Sequence, residues 1–150
     1  MLKWVELRKV GIIVRQAEAG DPRAQHRLGF IYSDGRGVPQ NYAEAVKWFR
    51  KAAEKGHGTA QLNLGYLLFE GRGVERDLIE AYQWTFLALQ GGPGLFGLFV
   101  KDAAYQQLAR LRAMMTPDQI TEGQKLANDF RRGGSHPAAS DEAEWAGGER

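Results

Sequence analysis

Slid against itself by 36 residues, the chain matches at positions where packing geometry dictates the residue. Gly20 falls on Gly56, Ala24 on Ala60, Gln25 on Gln61, and Leu28-Gly29 on Leu64-Gly65. Gly35-Arg36-Gly37-Val38 falls on Gly71-Arg72-Gly73-Val74, Glu44-Ala45 on Glu80-Ala81, Trp48 on Trp84 and Ala52 on Ala88. The shared residues are mostly small, apolar or glycine, the kinds that close contacts and tight turns preserve. A period of this length predicts an array of short units, each burying its apolar face against the next.

Each unit reads as two helices. Asp21-Pro22 starts the first with a side-chain acceptor and a proline whose φ is already helical. Ala24, Leu28 and Ile31-Tyr32 follow at helical spacing. Gly35 and Gly37 end it as residues free to take positive φ. Asn41 with Glu44, and Asp77 with Glu80, have the spacing of capping boxes for the second helices. Ala45, Trp48-Phe49 and Ala52-Ala53 form the apolar stripe, with Trp48 filling space between units. Glycine inside a helix costs about 1 kcal/mol against alanine, so its recurrence at Gly29 and Gly65 predicts a close approach there.

The whole chain is expected to be all-α, with about seven helices in one domain over residues 1–132. A leading helix spans 2–19, unit one 20–55 and unit two 56–91. Two units are too few for a stable array, so closing helices are expected within 97–132. Thr116-Pro117-Asp118-Gln119 gives the last of these a strong start signal. Residues 133–150 read as a disordered acidic tail.

These residues resemble the Sel1-like repeat family. The resemblance rests on Ala24-Gln25, Leu28-Gly29, Tyr32, the Gly-Arg-Gly-Val block, Glu44-Ala45, Trp48 and Ala52-Ala53, and covers Ala17 to about Gly92. It implies a right-handed α/α superhelix related to tetratricopeptide repeats, and work as a scaffold or adaptor for other proteins. The segment Met114 to Asp129 looks like the end helix of bacterial members. The chain departs from the pattern at His57-Gly58, where unit one has Asp-Pro, and at Leu68, where unit one has Tyr32. With no cysteine, it does not match the secreted members that carry paired cysteines.

In helical-repeat arrays the first helices line the concave surface. The resemblance therefore places Arg23, His26, Phe30 and Ser33, with Leu62, Tyr66 and Phe69, in a partner-binding groove. Phe30 and Tyr66 are the candidate aromatic anchors, because aromatics bury large area with few rotors. Leu62 and Phe69 read better as packing residues.

Other chemistry finds little support. Gly92-Pro93-Gly94-Leu95-Phe96-Gly97 fits G-x-G-x-x-G, but a dinucleotide site needs a preceding strand, and this run reads as a linker. His26, His57 and His136 lack zinc-helix spacing, and the three serines have no evident base nearby. Arg36 and Arg72 read as making local bonds. The chain is thus expected to be no enzyme and to use no cofactor or metal. Net charge is +2, but the residues before Ser135 hold 19 bases and 14 acids. That bias is modest, and Arg110, Arg112, Arg131 and Arg132 read as solvated rather than as a nucleic-acid patch. No signal peptide or membrane span is evident. A cytoplasmic bacterial protein is expected, as a monomer or weak homodimer.

Overall fold

The computed structural model describes residues 2–90 and 94–133. Seven helices account for the described secondary structure, and no strand occurs among these residues. They are α1 (Leu2–Glu18), α2 (Pro22–Asp34), α3 (Tyr42–Glu54), α4 (Gly58–Glu70), α5 (Leu78–Ala88), α6 (Leu95–Met114) and α7 (Pro117–Arg131). The expected all-α repeat architecture is therefore present. The tail from residue 134 lies outside the described residues.

The helix signals act locally as their chemistry requires. Asp21 accepts from the Arg23 amide at 2.9 Å. Asn41 and Asp77 accept from the Glu44 and Glu80 amides at 3.1 and 2.9 Å. The complete reciprocal box forms at Thr116 and Gln119. At Asp77 the Glu80 carboxylate serves a different end. It is buried, pairs with Arg50 of α3, and accepts from the Trp84 indole at 3.1 Å. A residue that reads as a cap thus ties successive second helices together.

Each unit is joined to the one before by a buried glutamine. The Gln25 amide donates to the Ala17 carbonyl at 3.1 Å, and Gln61 donates to Ala53 at 3.1 Å. The matching bonds show that α1 stands where the second helix of a preceding unit would stand. The turns agree. A Cβ on Gly73, whose φ is +72°, would collide with the backbone of Tyr42 and Ala43 at the start of α3. Gly37 faces α1 more loosely, a Cβ there meeting only the Val10 side chain at 3.5 Å. At the other end, α6 packs on α4 and α5, and α7 on α5. They close the array separately rather than as a packed third pair.

The recurring helical glycines mark close contacts, as expected. A Cβ on Gly29 would come within 2.6 Å of the Phe49 ring. One on Gly65 would strike the Thr85 hydroxyl and approach the Ala81 carbonyl at 3.1 Å. The main core runs through α3, α4, α5, α6 and α7, from Ala45 and Phe49 through Trp84 and Leu111 to Ala127. Trp48 packs instead with Ile13, Ala17, Ala24 and Leu28, closing α1 against unit one.

Gly65→Ala should therefore lower stability by about 2 kcal/mol, overpacking outweighing the gain in helix propensity. Gly11→Ala, with no heavy atom within 4 Å of the new methyl, should raise stability by about 0.5–1 kcal/mol. Urea unfolding followed by circular dichroism measures both, and equal effects would contradict this account.

Candidate functional site

A cleft of about 220 Å³ opens between α2 and α4. From α2 it takes Phe30, Ser33 and Asp34, from α4 Asn63, Tyr66 and Leu67, and Arg72 comes from the turn that follows. Tyr42 and Phe49 of α3 complete it. The floor is apolar, since Phe49 and Leu67 are buried. The rim is aromatic and wet, with Phe30 and Tyr66 exposed by 42% and 40%. Phe30 meets Phe49 edge to face, with centroids 5.8 Å apart. At one end, Gln40 donates to the Ser33 carbonyl and the Tyr42 hydroxyl at 2.7 and 3.2 Å. Arg72 donates to the same hydroxyl at 3.4 Å and lies over the Tyr42 ring. The carboxylate of Asp34 is engaged by Arg36 at 3.0 Å.

At the other end the aromatic row continues into a pair of histidines. The His26 ring meets Phe30 edge to face at 5.1 Å and stacks on His57 at 4.5 Å. His57 Nδ1 accepts from the Ala60 amide at 3.2 Å. The histidine that replaces Asp-Pro is thus the N-cap of α4. The Asn63 amide lies 3.2 Å from His26 Nε2. Both roles suit neutral rings. Burial and the neighbouring His57 lower the His26 pKa from the usual 6.5 to about 4. Burial also lowers that of His57, aided by Arg23 and opposed by a backbone hydrogen bond and Asp21.

The structure separates the seven residues read from the sequence. Phe30, Ser33 and Tyr66 line the cleft, and His26 extends it. Arg23 is not among the cleft's lining residues, and its charge helps lower the His57 pKa. Leu62 packs against Ala88, Val100 and Ala104, under α6. Phe69 is half-buried against the main core, with the Arg76 guanidinium over its ring. Both pack against neighbouring helices, and neither lines the cleft. Sequence reasoning missed Phe49, Tyr42 and Asn63. Phe49 was legible as core, but its second role needs the three-dimensional meeting of α2, α3 and α4.

The remaining candidates are placed as follows. Arg112 is exposed and also donates to the Tyr82 hydroxyl at 2.9 Å. Arg36 pairs locally with Asp34, as expected, whereas Arg72 reaches the Tyr42 hydroxyl, 30 residues away in sequence. The glycine run at 92–97 falls partly outside the described residues, and Gly97 sits in the first turn of α6. No described cluster of three or more His, Cys, Asp or Glu could hold a metal. No described helix is long and apolar enough to cross a membrane.

A succession of paired helices joined by equivalent contacts defines a helical-repeat solenoid. The chain carries two Sel1 repeats, the family model matching residues 22–57 and 58–93. It is 48% identical over 40 residues to the chitin synthase regulator SKT5 of Saccharomyces cerevisiae, a match covering 27% of this chain and 6% of that protein. Among solved structures it is similar to c5321, a protective antigen of uropathogenic Escherichia coli strains with an SLR fold. That match has a TM-score of 0.72 and 27% identity, over 96% of this chain and 29% of the antigen. It is also similar to a Sel1 repeat protein from Oxalobacter formigenes, with a TM-score of 0.54 and 40% identity over 55% of this chain and 63% of that one.

Lowered histidine pKa values carry a pH signature. The unfolded chain takes up protons as pH falls through 6.5, while folded His26 resists until about 4. Stability should hold above 6.5 and decline as pH falls from there towards 4. A His26→Gln/His57→Asn protein keeps polar acceptors but no titrating ring, so its melting temperature should drop less between pH 7 and 4.5. Superimposable profiles for the two proteins would refute the assignment.

Proposed function

We propose that this chain is a protein-interaction module whose cleft between α2 and α4 takes an extended peptide or a helix of a partner. The observation that carries this reading is the arrangement of Phe30 and Tyr66. Both stay exposed above a buried floor of Phe49 and Leu67, with hydrogen-bonding groups at the rim. Such rings supply the rigid anchors that binding sites use, with polar neighbours to fix orientation. The Sel1 repeats and the short match to a regulator fit a scaffold role. Arg23 and His26 add polar character at the His57 end.

A second reading concerns self-association. On α1, Trp4, Val5, Leu7 and Ile12 are exposed, and on α6 so are Leu98, Phe99 and Tyr105. Apolar faces at both ends of an array favour a weak homodimer in addition to partner binding.

The cleft is tested by capture from native lysate, comparing wild-type protein with Phe30→Ala/Tyr66→Ala of unchanged helicity. A partner should be retained by the wild type and lost, by about tenfold or more, with the variant, as expected when two hot-spot aromatics are truncated. Equal recovery by both would sink the cleft as the working surface.

A further inference from the structure

The cleft is unbalanced in charge. Asp34 is answered by Arg36, whereas Arg72 makes no ion pair among the described residues and reaches only a phenol at 3.4 Å. A ligand that satisfies the site brings an aromatic ring for Phe30, Phe49 and Tyr66, and a carboxylate for Arg72. The chain itself contains that combination, in Asp141-Glu142-Ala143-Glu144-Trp145. The residues from Ser135 onward hold four acids against one base, and those before it 19 bases against 14 acids. The two parts are therefore electrostatically complementary.

The connection is long enough. Phe130 and Arg131, at the end of α7, line a second cavity together with Gly56 and Gln61, at the start of α4. From there to Arg72 is the length of α4, about 20 Å for its 13 residues. The chain from Gly133 to Trp145 can span up to about 40 Å when extended.

We propose that residues 141–145 are an intramolecular ligand of the cleft, with the Trp145 indole against Phe30 and Tyr66 and a neighbouring carboxylate on Arg72. This rests on the reading of the cleft as a peptide site. A tethered ligand acts at millimolar effective concentration, so an outside partner binds only by displacing it. The tail then sets a threshold, admitting partners that outcompete its own sequence.

The test uses full-length protein labelled with 5-fluorotryptophan. The four tryptophans give four fluorine resonances, and Trp145→Phe assigns the one of interest. In the wild type this resonance should lie away from that of a labelled synthetic peptide of residues 138–150 free in solution. It should return to the free position in Phe30→Ala/Tyr66→Ala and move towards it in Arg72→Ser, which leaves the aromatic rim intact. Full-length Trp145→Ala should bind the added peptide's Asp-Glu-Ala-Glu-Trp sequence about tenfold more tightly than wild type, the ratio of a millimolar effective concentration to a Kd near 0.1 mM. A wild-type resonance coincident with the free peptide would overturn the proposal, and so would a shift that survives in both cleft variants. A shift that grows with protein concentration would assign the tail to a second copy and overturn its intramolecular form. If lysate capture is lost in Phe30→Ala/Tyr66→Ala while the Trp145 resonance never moves, the cleft stands and the tail proposal alone falls.

Discussion

The missing side chains at Gly29 and Gly65 let paired helices approach to a distance at which a ring or a hydroxyl fills the space directly. Phe49 lies against Gly29, and the same ring forms the cleft floor and meets Phe30 edge to face. The contact that closes one helix pair thus fixes the base of the surface offered to a ligand. Protein interiors pack too tightly for these to be adjusted separately. A change at Gly29 therefore reaches the cleft without touching any residue on its rim.

The same geometry explains why the cleft lies between units one and two. The position of His26 in α2 corresponds to Leu62 in α4. Leu62 is covered by α6 through Val100 and Ala104. Gln107 of α6 adds a 2.7 Å bond to Thr85. The junction after unit two is therefore filled by α6. At the junction after unit one, His26 turns to His57, Phe30 and Asn63. Its contacts are aromatic and polar, and they leave Tyr66 open to solvent.

Much of the fold was legible because its signals are local. Asp21-Pro22, Thr116-Pro117 and the paired glycine turns act within a few residues of themselves, and the structure uses them accordingly. Glu80 shows where locality fails. Its spacing from Asp77 fits a cap, but its carboxylate is drawn to Arg50, 30 residues away in sequence. His57, where the sequence departs from the Asp-Pro start of unit one, supplies a cap of its own through Nδ1. For the cleft, Phe30 and Tyr66 were candidates only through the family resemblance, which put the first helices on the concave side. Tyr42 and Asn63 were not candidates, because their place depends on how three helices meet.

The glutamine joints have an evolutionary consequence. Gln25 and Gln61 each donate to a backbone carbonyl, of Ala17 and Ala53. The acceptor is a group that every residue carries. The joint therefore demands a specific side chain from the incoming unit and only a helical ending, with room for close approach, from the unit before it. A gene that duplicates, deletes or transplants one such unit keeps the attachment intact at both new junctions. Arrays built this way can lengthen or shorten while the surfaces between their units diverge independently.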